Sequence, residues 1–153
     1  MKKLSIIGFV LLVLLGCSKD KYQDAPQISL KSVSGDVVPV NSGLNVVLSY
    51  TDKQGDVSDT LFIKKIRLNK TVVATLRDSL AYKIPDFPDY PKGEINLDLD
   101  YQNNLVSAQN PPPIQGSNPS APQPDTLLIK FWIHDKAGHS SDTATTGKIV
   151  VLR

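Results

Sequence analysis

Acidic side chains are concentrated in two stretches that nearly repeat each other. Residues 52–60 read DKQGDVSDT and residues 135–143 read DKAGHSSDT, with six of the nine positions identical. Hard cations such as Ca²⁺ take several oxygen ligands, and carboxylates supply them readily. If the two stretches lie side by side, they predict a structural calcium site. Its candidate ligands are Asp52, Asp56, Asp59, Asp135 and Asp142.

Turn formation explains the same residues without a metal. Asp52 and Asp135 can accept backbone N–H bonds from the residues that follow, and Gly55 and Gly138 can adopt positive φ. The spacing also lacks the alternating acids and the final glutamate of an EF-hand loop. Both interpretations, turn chemistry and calcium binding, therefore stay open at this stage.

Two histidines, His134 and His139, flank Asp135 and suggest a transition-metal site as a further alternative. A histidine at the end of a strand and a histidine in a turn more often form hydrogen bonds with solvent.

The side chains needed for common catalytic sites are scarce in this chain. Cys17 is the single cysteine, Glu94 is the single glutamate, and no Gly-x-Ser-x-Gly motif occurs. Among the many aspartates, no pair is singled out by spacing for glycoside hydrolysis. We therefore expect a non-enzymatic protein, with a glycan-active enzyme as the less favoured alternative.

The first residues predict export and membrane attachment. Lys2 and Lys3 precede an apolar run that ends at Gly16, which is typical of a signal peptide over residues 1–16. The four residues LLGC at positions 14–17 resemble a bacterial lipobox, and the resemblance implies a lipid on Cys17. The polar residues 17–26 then read as a lipidated tether to an outer membrane, on its cell-surface or periplasmic face.

Charge excludes nucleic acid as an expected partner. Without Lys2 and Lys3, the remainder of the 17 basic residues equals the 15 acidic residues in number, so no basic surface is expected.

Period-two alternation of apolar residues predicts an antiparallel immunoglobulin-like β-sandwich of about seven strands over residues 27–153. Residues 44–51 and 95–99 alternate clearly, and the acids of 94–100 are typical of a strand at a sheet edge. Residues 126–134 predict a central strand that is covered on both faces. Residues 60–68 change parity, which predicts a β-bulge or a strand that crosses between the two sheets. Further strands are expected at 27–33, 71–76 and 148–152.

Two proline-rich stretches, residues 83–92 and 110–124, predict irregular surface loops because proline cannot donate to a strand ladder. We expect the second to be long, extended and mobile. In and beside the first stretch lie three aromatic residues that could contact a ligand: Tyr82, Phe87 and Tyr90.

The sequences SYTDKQGDVSD and IKFWIHDKAGHSSDTATTGKIVVL, together with the lipobox, resemble small Bacteroidetes-type lipoproteins with an immunoglobulin-like or cadherin-like domain. The Asp-Ser/Thr tripeptides resemble the O-glycosylation sequon of that group, which implies four candidate sites: Thr60, Ser79, Thr126 and Thr143. The opening of strands by Asp and Thr explains these tripeptides equally well. The resemblance and the residues together predict a binding or display module of the cell envelope, for a glycan or an envelope protein. A structural or assembly subunit of an outer-membrane complex is the alternative.

Overall fold

The computed structural model describes residues 23–117 and 119–153. These residues form two β-sheets packed face to face around one hydrophobic core, which confirms the predicted all-β sandwich. The predicted signal peptide at 1–16, the candidate lipid site Cys17 and most of the tether lie outside the described residues. In the part of the chain that the structure describes, no helix is long and apolar enough to cross a bilayer.

The first sheet contains three antiparallel strands in the order β1-β3-β6. They are β1 (Gln27–Val33), β3 (Leu44–Thr51) and β6 (Lys92–Leu99). Strand β3 alternates buried and half-buried residues along its whole length, as its sequence predicts. Strand β6 lies at the sheet edge, and its exposed acids Glu94 and Asp98 discourage pairing with another chain.

The second sheet has the order β2-β9-β7-β4-β5, with the short β8 also paired to β7. Its members are β2 (Val37–Val38), β4 (Thr60–Arg67), β5 (Ser79–Lys83), β7 (Asp125–His134), β8 (Ala144–Thr145) and β9 (Ile149–Val151). All pairs are antiparallel except β2 with β9.

The order matches an immunoglobulin-like sandwich, in which β1, β3 and β6 take the places of strands A, B and E. Strands β4, β7 and β9 take the places of C, F and G. The described residues contain nine strands instead of about seven, because β2 and β8, each two residues long, are too short to show a period.

Strand β4 has no bulge and does not cross between the sheets, so both explanations predicted for its change of parity were wrong. It pairs in continuous register with both β5 and β7. The change of parity arises because Lys65 points into the core, 4% exposed, where its Nζ donates to the carbonyl oxygen of Val106 at 2.8 Å. The register shift that does occur lies in β1, between Leu30 and Ser32.

Two strand assignments also differ from the sequence prediction. Residues 71–76 form only an isolated bridge at Thr75, and Val72 is 94% exposed. The strand instead begins at Ser79. Its residues are almost all exposed, so no apolar alternation marks β5 in the sequence.

The core is filled by the inward-facing side chains of β3, β4 and β7, including Leu48, Leu61 and Phe131. Strand β7 is central, as predicted, but only one face is fully buried. On its other face Trp132 stacks on Phe62 with ring centroids 5.2 Å apart, and that face is half-buried.

Between β6 and β7 lie a single π-helical turn (Tyr101–Leu105) and the proline-rich stretch 110–124. This stretch has no strand among its described residues, yet it folds back on itself. Backbone bonds join Gln123 N to Pro112 O at 2.7 Å and Ile114 N to Ala121 O at 2.8 Å. The predicted loop is therefore a closed hairpin-like excursion instead of an open extended segment.

Candidate functional site

The two repeated loops lie side by side at one end of the sandwich. They connect β3 to β4 and β7 to β8, and the Lys136 amide donates to the Asp56 carbonyl oxygen at 3.0 Å. The immunoglobulin-like order predicts this placement, because the corresponding loops share one end of the fold.

The turn chemistry expected from the repeat is present in both loops. Asp52 Oδ2 accepts the amides of Gly55 and Asp56 at 2.6 and 3.2 Å. Asp135 Oδ1 accepts the amide of His139 at 2.7 Å. Gly55 and Gly138 have φ of 76° and 87°, which is the region that favours glycine.

Three of the five predicted calcium ligands converge. Asp52, Asp56 and Asp135 each present a carboxylate oxygen, and these oxygens lie within 4.8 Å of one another. Asp52 and Asp135 are buried at 0% and 1% exposure, and Asp56 is half-buried. Asp52 Oδ1 and Asp56 Oδ1 are buried atoms with no hydrogen-bond partner in the described part of the chain. When both carboxylates are ionised, the loops therefore hold two oxygens that no donor in residues 23–117 or 119–153 satisfies.

The charges in this trio act on one another. Burial raises the pKa of Asp56 above its usual value, and the charge of Asp135, a hydrogen bond with the Asp52 carboxyl group and the charge of Asp52 raise it further. On the open side of the trio, His139 Nδ1 lies 2.9 Å from Asp135 Oδ2. This hydrogen bond and the charge of Asp135 raise the pKa of His139. The arrangement favours the binding of positive charge.

Asp59 and Asp142, the other two predicted ligands, lie outside the trio. Asp59 uses its backbone to start β4, since its carbonyl oxygen accepts the Ile84 amide at 2.8 Å. Asp142 is exposed, and its Oδ1 accepts the Ile28 amide at 2.8 Å at the start of β1. Asp59 therefore contributes to the beginning of β4, and Asp142 holds the beginning of β1.

His134 does not join a metal cluster among the described residues. Its ring packs on Phe62 on the outer face of the second sheet, with ring centroids 4.7 Å apart.

An aromatic cleft adjoins the first loop. It has a volume of about 380 Å³ and is bounded by β6 and by the first proline-rich stretch. Phe87 and Tyr90 line it, and the Phe87 ring lies 6.3 Å from the buried ring of Tyr50. Charged and polar side chains of β6 complete the lining: Lys92, Glu94 and Asn96. Glu94 is also paired with Lys31 of β1.

The cleft and the loop share a wall. A Cβ added to Gly55 would lie 2.6 Å from the Tyr90 nitrogen, so only glycine permits this close approach. The Asp52 amide donates to the Pro91 carbonyl oxygen at 2.9 Å. A change in the first loop is therefore transmitted directly to Tyr90.

Tyr82 is separate from the other two predicted contact aromatics. It lies on β5 and lines a smaller cavity of about 210 Å³ with Leu97 and Asn104, whose Nδ2 donates to the Tyr82 hydroxyl at 2.6 Å. Tyr50 lies in the core, as the alternation of residues 44–51 predicts, and it also lines the aromatic cleft, which that alternation does not indicate. Its position next to Gly93, where an added Cβ would lie 2.6 Å from its hydroxyl, is not visible in the local pattern.

The four candidate O-glycosylation residues lie at or next to the beginnings of strands. Ser79 and Thr143 are exposed, whereas Thr60 and Thr126 are half-buried within β4 and β7.

The described end of the predicted tether is held against the first loop. The Lys53 amide donates to the Gln23 carbonyl oxygen at 3.1 Å, and Lys53 Nζ lies 3.3 Å from Asp24 Oδ1. Pro26 is buried. The chain thus enters the sandwich beside the acidic trio.

In comparisons with known proteins, no protein-family model matches the chain, and no curated protein matches it significantly.

Proposed function

We propose that the protein is a lipid-anchored binding module of the cell envelope, and that its ligand is a glycan held in the aromatic cleft. The observation that supports this most directly is the composition of the cleft. It combines exposed and half-buried aromatic rings with charged and amide side chains in one concave site.

Each wall suits one side of a sugar ring. Tyr90 is 56% exposed, so one face of its ring is available to the apolar C–H groups of a pyranose. Lys92, Glu94 and Asn96 alternate along β6 and can form hydrogen bonds with hydroxyl groups. The volume, about 380 Å³, lies within the ~300–1,000 Å³ range of small-ligand pockets.

Attachment to a membrane through Cys17 is supported by the lipobox-like sequence and by the short polar stretch that follows it. The proposal places the module on the outer membrane, at the cell surface or the periplasmic face.

A glycan-binding assay tests the cleft. The full-length chain, solubilised in a nonionic detergent, is screened against envelope and extracellular polysaccharides. Tyr90→Ala should weaken binding about tenfold, a loss of about 1.4 kcal/mol that a stacking contact can account for. Tyr82→Ala is the matched control, since Tyr82 is also exposed, at 43%, but lines the other cavity.

Two results would contradict the glycan assignment. One is equal weakening by Tyr82→Ala and Tyr90→Ala. The other is retention of no polysaccharide while a larger envelope protein copurifies at fixed stoichiometry, which would favour an assembly subunit.

Attachment is tested separately by labelling cells with a fatty-acid analogue. The wild-type chain should incorporate the label and fractionate with membranes, and Cys17→Ser should abolish both. Protease treatment of intact cells then distinguishes the two faces, because release of domain peptides indicates surface exposure.

A further inference from the structure

The acidic trio at the paired loops carries an inference that does not depend on glycan binding. We propose that Asp52, Asp56 and Asp135 bind one divalent cation, and that this cation is Ca²⁺.

The first step is the convergence of three carboxylates from two separate loops. Their oxygens lie within 4.8 Å of one another, which is a separation that one cation can bridge. Mutual repulsion opposes this convergence, and a cation would remove the repulsion.

The hydrogen bonding of the buried Asp52 side chain also indicates a bound cation. This side chain is fully buried, and Oδ2 accepts the two amides that shape the loop. Its other oxygen, Oδ1, is buried and has no donor among the described residues while both carboxylates are ionised, and the same holds for Asp56 Oδ1. Buried carboxylate oxygens are normally satisfied, so two such atoms at one place indicate a missing partner.

The chemistry of the ligand atoms indicates which cation the trio would bind. All three side chains offer oxygen, which favours a hard cation over zinc or copper. The nearest nitrogen ligand, His139 Nδ1, is already bonded to Asp135. Three carboxylates from two irregular loops suit the variable coordination of Ca²⁺ better than Mg²⁺, which demands a near-ideal octahedron and is usually held by only one or two carboxylates.

The proton is the competing partner. Two close carboxylates can share a proton in place of a metal ion, and the trio would then be a purely structural feature. The two explanations differ in what happens when calcium is added.

Thermal unfolding of the full-length chain in detergent distinguishes them. The wild-type protein is compared in a chelator and in millimolar Ca²⁺, Mg²⁺ or Zn²⁺, the concentration range of extracellular calcium modules. We expect saturating Ca²⁺ to raise the wild-type melting temperature by about 5 °C. Mg²⁺ should raise it less, and Zn²⁺ should not raise it through this site.

Asp56→Asn and Asp59→Asn form a matched pair within one loop. Asp56→Asn removes a charge from the trio, so its melting temperature should exceed that of the wild type in chelator and should not respond to Ca²⁺. Asp59→Asn removes a charge from outside the trio and should respond to Ca²⁺ as the wild type does.

Several outcomes would overturn the proposal. The measurement on the wild type does not depend on whether any variant folds. If Ca²⁺ does not raise the melting temperature of the wild type, the trio is held together by a shared proton. A shift from Mg²⁺ as large as that from Ca²⁺, or a shift from Zn²⁺ alone, overturns the assignment to calcium. Loss of the response in Asp59→Asn with its retention in Asp56→Asn places the ion elsewhere. If Asp56→Asn does not fold, Asp135→Asn replaces it with the same expectation.

Discussion

Asp125 holds together the end of the sandwich that lies opposite the paired loops. It is fully buried, and its carboxylate faces Arg67 at 3.1 Å and Arg153 at 3.3 Å. The same carboxylate accepts the amides of Ser107 and Ala108 at 2.9 and 3.1 Å. One side chain thus joins β4, β7, the segment after the π-helical turn and the chain's last residue.

Removal of this carboxylate should be strongly destabilising. Asp125→Ala leaves two buried guanidinium groups without their carboxylate and two amides without an acceptor, and we expect a loss of about 3–5 kcal/mol in urea unfolding. Asp86→Ala is the control, because Asp86 forms only an exposed pair with Lys83 at 3.9 Å. That variant should change stability by less than about 0.5 kcal/mol. Similar losses in both variants would contradict the role of Asp125.

Because of Lys65, the free energy of unfolding should vary with pH in the alkaline range. Burial lowers its pKa to about 8, an effect that the charges of Asp78 and Asp125 only partly offset. An unfolded lysine has a pKa of about 10.4. Between these two values the unfolded chain binds more protons than the folded chain, so the free energy of unfolding should increase as pH rises from about 8 to about 10. Below pH 8 both states are protonated and this contribution is constant.

Lys65→Met isolates the effect. The pH-dependent gain, up to about 3 kcal/mol, should be present in the wild type and absent from the variant, as measured by urea unfolding at a series of pH values. Lys64→Met, at the exposed neighbouring position, should keep the wild-type pH dependence. Parallel pH profiles for wild type and Lys65→Met would contradict the lowered pKa.

At the scale of elements, the two repeated loops provide a comparison built into the chain. Gly55 and Gly138 occupy equivalent places and both have positive φ. They differ in surroundings: an added Cβ at Gly55 meets the Tyr90 backbone, whereas one at Gly138 meets nothing within 4 Å.

The two alanine variants should therefore differ. Gly138→Ala costs only backbone strain, about 1–2 kcal/mol. Gly55→Ala costs this strain and also displaces the Tyr90 segment, which should add about 1–3 kcal/mol and weaken ligand binding in the aromatic cleft. Urea unfolding and the polysaccharide assay measure the two effects. Equal free energies of unfolding for Gly55→Ala and Gly138→Ala would show that the first loop is not in close contact with the Tyr90 segment.

Strong alternation made β3, β6 and β7 predictable, because each has one face on the core. The same criterion failed for β5, which has no buried face, and for residues 71–76, which are apolar yet lie on the surface. It also failed at Lys65, where a charged side chain takes a core position.

The candidate site was predictable to the extent that topology brings loops together. The repeat and the immunoglobulin-like order correctly placed Asp52, Asp56 and Asp135 at one end. They could not separate these acids from Asp59 and Asp142, since that distinction depends on which way each side chain points at the start of a strand. The cleft depends on two contacts between residues distant in sequence, Tyr50 with Gly93 and Gly55 with Tyr90.

At the scale of the whole molecule, residues 23–26 belong to the folded body. The bond from Lys53 to Gln23 and the burial of Pro26 predict that a chain beginning at Gln23 is more stable than one beginning at Gln27. The difference should be about 1 kcal/mol, the contribution of one hydrogen bond with a small apolar contact. Urea unfolding of the two chains measures it, and identical midpoints would indicate that residues 23–26 do not dock.

If Cys17 carries a lipid, the contact between Gln23 and Lys53 also determines which end of the sandwich faces the membrane. Five residues lie between Cys17 and Gln23, and the six steps along the chain, even fully extended, span only about 20 Å. Both the acidic trio and the aromatic cleft would then face the headgroup layer, while residues 110–124 and Arg153 would point away from it. A long polysaccharide would then have to enter the cleft parallel to the membrane surface. An affinity tag would interfere least at the carboxyl terminus.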